Sequence, residues 1–254
     1  MKIIPQIETP AGENYIDFEE NLSKLIEGIK YKGKKFGLNG AEDAIDSYPV
    51  VIEQNFGINA LLLCNDLKNR HNNNLNIIYA FNMRDKNRVA ILSDLITLEQ
   101  LGLKDIIISE GLHPLKTVFY AAKPVYDIDV LGLSSIIKTG FPLLKDNDYV
   151  NNFSLFNLGV VVGISTPADF LKIKKLSKIG VDRFIVNYSV DNADDIDINI
   201  INYIKAEKKP VFIFVNESNV KSTLEEFIKK NLELNVDGII IKILNEKSNI
   251  FTQD

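Results

Sequence analysis

The chain is poor in the residues that build metal centres and disulfides. Its 254 residues include one cysteine, Cys64, and two histidines, His71 and His113. A single cysteine excludes an intramolecular disulfide and a multi-cysteine metal site. Two histidines cannot make a His-rich centre on their own, so no metal is expected. Cys64 reads as a small buried hydrophobe, because free cysteine is mostly a core residue. Tryptophan is absent. No apolar run is long enough to span a bilayer. No signal-peptide pattern precedes the first strand, since Met1-Lys2 leads directly into IIPQIE. These absences predict a cytoplasmic protein with no membrane partner. An excess of positive charge is also missing: Lys+Arg 29 against Asp+Glu 34 gives a net charge of −5. Without a basic stripe, a nucleic-acid surface is not expected.

What is present is apolar and periodic. Hydrophobic residues make up 46% of the chain, enough for a sizeable core. Apolar runs of strand length alternate with segments of helical spacing. The spacing predicts strands over 2–8, 34–39, 75–82, 105–109, 158–164, 183–188, 209–216 and 236–244. It predicts helices over Asp17–Lys30, Ser47–Phe56, Arg88–Leu101, Asp129–Lys138, Ala168–Lys178, Ile196–Glu207 and Val220–Asn231. Ser47 is read as an N-cap with Pro49 in the first turn, and Gly102 and Gly180 as helix stops. The strands are near-continuous Ile/Val/Leu/Phe runs. That pattern belongs to parallel sheets buried on both faces. Eight of them in 254 residues predict one (β/α)8 TIM barrel, a single domain over 1–254, rather than an open sheet. INALLLCNDLKNR (58–70) reads as either an extra strand or a helix. The weakly patterned stretch Thr139–Phe156 reads as a loop over the barrel mouth.

The run MRDKNRVAILSDLITLEQLGLKDIIISEG (83–111) resembles a strand–helix–strand segment of methylenetetrahydrofolate reductases. Other segments resemble that family in the same order: PQIETPAGENYIDFEENL (5–22), AKPVYDIDVLGLSSIIK (122–138), LGVVVGI (158–164), LKIKKLSKIGVDRFIVNY (171–188) and, more faintly, PVFIFVNESN (210–219). The resemblance implies a flavin-dependent barrel of one-carbon metabolism. Such an enzyme passes hydride from reduced FAD to 5,10-methylenetetrahydrofolate and yields 5-methyltetrahydrofolate. NAD(P)H or another reductant would supply the electrons, although no separate G-x-G-x-x-G dinucleotide fold is visible.

Residue by residue, the resemblance places Glu8 at the family's catalytic glutamate, as the proton donor to the folate ring. It places Asn82, Asp85, Arg88, Gly111, Tyr126, Asp127 and Lys174 on FAD, and Asn187 and Tyr188 on the folate or another pterin. Each also has a plainer reading. Glu8 is otherwise a strand-end carboxylate capping a backbone group. Asn82, Arg84, Asp85 and Asn87 are otherwise a polar loop that caps the following helix. Lys174, with Lys172, Lys175 and Lys178, is otherwise a solvated face. His113 reads as a loop histidine. The departures from the family fall at the chemistry. The family's "TGD" is Glu110-Gly111-Leu112 here, so an apolar side chain replaces the flavin-side aspartate. The family's "ITQ" is Ile185-Val186-Asn187. The strand-end histidine of its "HLTC" is lost within Ala80-Phe81-Asn82-Met83. These losses leave a second expectation open: a pterin-binding accessory barrel that has lost flavin chemistry. It would act as a homo-oligomer or as a subunit beside a partner.

Overall fold

Eight parallel strands close into a barrel in the order β1-β10-β9-β8-β7-β4-β3-β2. In chain order the elements are β1 (Lys2–Glu8), α1 (Tyr15–Lys35), β2 (Pro49–Glu53), α2 (Ala60–Arg70), β3 (Asn76–Asn82), α3 (Arg88–Gln100) and β4 (Asp105–Ser109). They continue with α4 (Val130–Thr139), β5 (Phe141–Pro142), β6 (Val150–Asn151), β7 (Asn157–Val162), α5 (Pro167–Ile179), β8 (Arg183–Tyr188), α6 (Ile198–Ala206), β9 (Val211–Asn216) and β10 (Gly238–Lys242). The computed structural model describes residues 2–10, 15–35, 49–54, 57–71, 75–111, 121–142, 150–151, 156–163, 166–188, 198–216, 226 and 234–243. Within these, β5 and β6 pair antiparallel apart from the barrel.

Two apolar layers hold the barrel. The larger lies between strands and helices and includes Val50, Ile52, Leu63, Leu67, Tyr79, Phe81, Leu95 and Ile106. The smaller fills the interior with Ile4, Val51, Ile78, Ala80, Ile107, Ile185 and Ile240, with Val161, Phe212 and Phe214 packed against them. Strand side chains alternate between faces. The interior residues therefore fix the parity of every strand. The next inward positions toward the carboxyl ends are Gln6 and Glu8, Glu53, Asn82, Ser109, Asn187, Asn216 and Lys242.

The helices start and stop on the expected signals. The Asn87 side chain accepts from Ala90 N at 2.9 Å and begins α3. Asp129 accepts from Gly132 N at 2.6 Å and begins α4. Thr166 and Asp169 form a capping box on α5, and Gly180 closes that helix at φ +101°.

Three expectations are corrected. The second strand is Pro49–Glu53, inside the expected helix Ser47–Phe56. Proline also suits the first residue of a strand, and the run Val50-Val51-Ile52 is fully buried between layers. The expected strand 34–39 is helix at Lys34 and Lys35, which end α1; the rest of it lies outside the described residues. The ambiguous 58–70 stretch is helix α2. Asn59 caps it, and Ala60, Leu63, Cys64 and Leu67 form its buried stripe. The third correction concerns the two ends of Thr139–Phe156, whose residues 143–149 and 152–155 lie outside the described residues. Those ends sit at the amino end of the barrel, opposite the mouth. There Lys138 Nζ donates to the Phe156 carbonyl at 2.8 Å and to Asp182 at 2.6 Å, just before β8. The expected helix Val220–Asn231 lies outside the described residues apart from Glu226.

Candidate functional site

The carboxyl ends of β1, β2, β3, β4 and β10 bring six polar side chains into one connected network. The register sets Glu8 beside Glu53, and Lys242 beside Gln6 and Asn216. Lys242 Nζ pairs with Glu8 Oε1 and donates to Glu53 Oε2 at 2.8 Å. Gln6 Nε2 donates to the same Glu53 oxygen at 2.8 Å. Asn82 Nδ2 donates to Glu53 Oε1 at 3.1 Å, and Ser109 Oγ to Asn82 Oδ1 at 2.8 Å. Glu53 thus accepts three hydrogen bonds and its side chain is 16% exposed, whereas that of Glu8 is 34% exposed. Glu8 is the carboxylate that faces the opening.

Burial opposes the charge on Lys242. Glu53 and Glu8 outweigh it, and the ammonium pKa is raised above its ordinary 10.5. The lysine at the mouth is therefore a fixed cation, unsuited to act as a neutral amine nucleophile.

The strand-to-helix loops clamp this pair of carboxylates in place. Thr9 N donates to the Glu53 carbonyl at 3.2 Å, and Ile58 N to the Pro10 carbonyl at 3.0 Å. Gln54 Oε1 accepts from Ala60 N at 2.6 Å. A Cβ on Gly57 would lie 2.0 Å from the Pro10 carbonyl oxygen, so no other residue fits this crossing.

The expected flavin residues divide into two groups. Asn82 and Gly111 lie at the mouth. Gly111 has φ +75°, and a Cβ there would sit 3.5 Å from the β-carbons of Asn82 and Arg84. Arg88 opens α3, and Tyr126 and Asp127 lie outside the mouth on the segment that crosses the start of that helix. Asp127 Oδ2 accepts from Arg88 N at 2.7 Å, and Arg88 Nη2 donates to the Asp127 carbonyl at 3.0 Å. This brace holds the start of α3 beside the Asn87 cap. Tyr126 is 68% exposed, with the Arg84 guanidinium 5.6 Å from its ring centroid. Lys174 is exposed on α5, while the neighbouring Lys172 reaches Glu110 at 2.5 Å. The Asp85 backbone lies in a 3-10 turn over Met83–Asp85; its side chain lies outside the described residues, as do Leu112 and His113. Of the expected folate residues, Asn187 is half-buried at the tip of β8, on the inward parity of Ile185. Tyr188 ends β8 opposite Val215 in register, and its side chain lies outside the described residues.

The sequence reading missed Glu53, Lys242 and Ser109. Each is a polar residue closing an apolar strand at inward parity, and that signal was available. Glu53 was hidden because its strand was read as a helix. Lys242 lies beyond the last segment that resembles a family. Cys64, fully buried on α2, has its thiol pKa pushed up by burial to about 12 and belongs to the core. Among the described residues no cluster of three or more His, Cys, Asp or Glu could hold a metal ion. Among them, too, no helix is long and apolar enough to cross a membrane.

The fold and the mouth define a (β/α)8 barrel with a polar site at the carboxyl ends of its strands, where such barrels carry their chemistry. No protein-family model and no curated protein sequence matches the chain. Solved structures match in fold. A variant tryptophan synthase alpha-subunit from Pyrococcus furiosus aligns at 9% identity over 95% of this chain and 86% of that one, with a TM-score of 0.57. A second variant of the same subunit gives 10% identity, the same coverage and a TM-score of 0.57. The tryptophan synthase complex from that organism gives 9% and 0.56. At that identity the likeness carries the barrel fold alone.

Proposed function

We propose that the chain is a flavin-dependent oxidoreductase of one-carbon metabolism resembling methylenetetrahydrofolate reductase, acting on 5,10-methylenetetrahydrofolate. One observation carries the reading: the Glu8 carboxylate closes the first strand and faces the opening of the mouth, where a proton donor to a bound pterin must stand. Asn187 and Asn82 supply amide donors and acceptors on the same ring of strand tips, of the kind that reads a heterocycle edge.

The quadrant between β3 and β7 has the chemistry a flavin dinucleotide needs. Gly111 leaves its backbone open to close approach, exposed Tyr126 offers a ring face, and the nearby cations for phosphate, Arg84 and Lys172, would have to exchange Glu110 for it. Bound FAD would supply the hydride; the protein's part is binding, orientation and the proton. Glu8 donates from its carboxyl oxygen to a ring nitrogen of the substrate. Lys242 then stabilises the carboxylate left behind. Asn187 holds the pterin from the inward tip of β8.

A second reading is an accessory pterin-binding barrel without flavin chemistry. The pairing of Glu8 with Lys242 and the use of Arg88 and Asp127 as a helix brace favour it. A visible spectrum separates the two. The reductase reading expects flavin bands at about 370 and 450 nm in the purified protein or after adding FAD. A colourless protein that takes up no FAD leaves the accessory reading. In a flavin-loaded protein, Glu8→Gln is expected to keep the flavin and abolish folate reduction. Unchanged turnover removes the proton from Glu8.

A further inference from the structure

Beside the mouth, two cations share one carboxylate. Lys172 Nζ, on the second turn of α5, donates to Glu110 Oε1 at 2.5 Å, and Arg84 Nη2 lies 3.9 Å from Glu110 Oε2. This is the reverse of the mouth, where two carboxylates share one ammonium. We infer that Glu110 is a resident anion in a phosphate-class site built by Arg84 and Lys172, and that it must leave when a ligand phosphate enters. This deepens the reading of that quadrant as the seat of a flavin diphosphate and rests on it. Glu110 stands at the first position of the segment that reads TGD in the resembling family, so its charge belongs to this chain.

Burial separates the fixed partners from the movable one. The side chains of Arg84 and Lys172 are 20% and 24% exposed, and that of Glu110 is 55% exposed. Arg84 is held further. Its carbonyl accepts from Val125 N at 2.8 Å, and its guanidinium lies 5.6 Å from the Tyr126 ring centroid, within cation–π reach. Lys172 rides on α5, whose start is fixed by the Thr166–Asp169 capping box. Glu110 lies just beyond the last residue of β4. An ion pair with so exposed a partner holds weakly, so the carboxylate can turn to water while both cations stay in place. The charge balance points the same way. Among the described side chains of these segments, Lys86 pairs with Asp94 and Arg88 with Asp127, and Asp169 is taken up by the capping box. Glu110 is left to answer both Arg84 and Lys172, and one positive charge remains over. A guanidinium can hold two phosphate oxygens at once and an ammonium a third. A diphosphate therefore neutralises both cations where Glu110 neutralises one.

Binding of inorganic pyrophosphate, measured by calorimetry at low ionic strength, tests the site without flavin or turnover. Wild type is compared with Glu110→Gln, with Glu110→Ala and with Glu99→Gln, a charge-matched control at the far end of α3. Each is checked for fold by circular dichroism. Removing the resident anion is expected to tighten binding by about two- to fivefold in both Glu110 variants, and Glu99→Gln is expected to bind as wild type does. Adding Lys172→Met to Glu110→Gln is expected to reverse the gain. Adenosine diphosphate is run beside pyrophosphate. A gain with either supports the site, and the tighter of the two identifies its source, a nucleotide or a free diphosphate. No binding of either ligand, Glu110 variants that bind no more tightly than Glu99→Gln, or a gain that survives Lys172→Met overturns the assignment. Uptake of FAD, followed in the visible spectrum, is scored separately. Its absence beside a pyrophosphate gain removes the flavin reading and leaves the resident anion standing.

Discussion

The two ends of the barrel both hold charged side chains, and they use them differently. At the amino end, Arg183 Nη1 meets Asp105 Oδ1 at 2.9 Å, and Asn157 Nδ2 donates to the same oxygen at 2.6 Å. One cation faces one anion, the guanidinium 13% and the carboxylate 28% exposed. Gly159 and Gly238 leave room for close packing at this end. A Cβ on Gly159 would lie 2.8 Å from Ile185 Cδ1 and 3.0 Å from Arg183 Nε, and one on Gly238 would lie 2.7 Å from the Phe212 ring. At the carboxyl end, two carboxylates share one ammonium, amides replace the apolar neighbours, and one carboxylate opens outward. A one-to-one pair is a support of the fold. Two carboxylates on one ammonium leave a net negative charge at the mouth.

Mutations at the two ends sharpen this contrast. The largest effect is expected at the amino end. Asp105→Asn leaves the Arg183 guanidinium without its anion, and breaking this partly exposed pair is expected to cost about 1 to 2 kcal/mol in denaturant unfolding. A cost near zero would make that end as tolerant as the mouth and erase the distinction.

The next effect lies in alkali. Lys242 binds its proton more tightly in the folded chain than its ordinary 10.5. Its contribution to stability is therefore full below that pH and is lost as pH rises through the folded value. The stability difference between wild type and Lys242→Met should stay level up to about that pH and shrink above it. A difference that is flat through the alkaline range would mean that the ammonium is not held by the two carboxylates.

The smallest effect is expected from Glu8→Gln. Glu53 still holds Lys242 there, so stability should change by less than about 1 kcal/mol. A loss as large as that of Asp105→Asn would make Glu8 a structural residue.

Much of the barrel was legible because buried strands leave an unmistakable trace. KIIPQIE, NIIYAFN, DIIIS, RFIVNY and VFIFVN are each too apolar to face water on either side. The misread element was PVVIE, where a leading proline serves a strand as well as a helix start. That single error removed Glu53 from view. The chemistry of the mouth was harder to read for a second reason. The network joins residues 6, 8, 53, 82, 109 and 242, and only barrel closure brings the last strand against the first. The residues read from family resemblance also divided along a physical line. Those at inward strand tips, Glu8, Asn82 and Asn187, reach the mouth. Arg88, at the start of α3, and Asp127, on the segment that crosses it, brace that helix.

We propose that the carboxyl-end mouth, and not the amino end, receives a pterin-class ligand. Amide and side-chain chemical shifts recorded during titration with 5-methyltetrahydrofolate distinguish the two ends. The expected shifts cluster at Glu8, Glu53, Asn82, Ser109, Asn187 and Lys242 and leave Asp105, Asn157 and Arg183 in place. Shifts gathered at the amino end, or none at saturating ligand, would overturn the proposal.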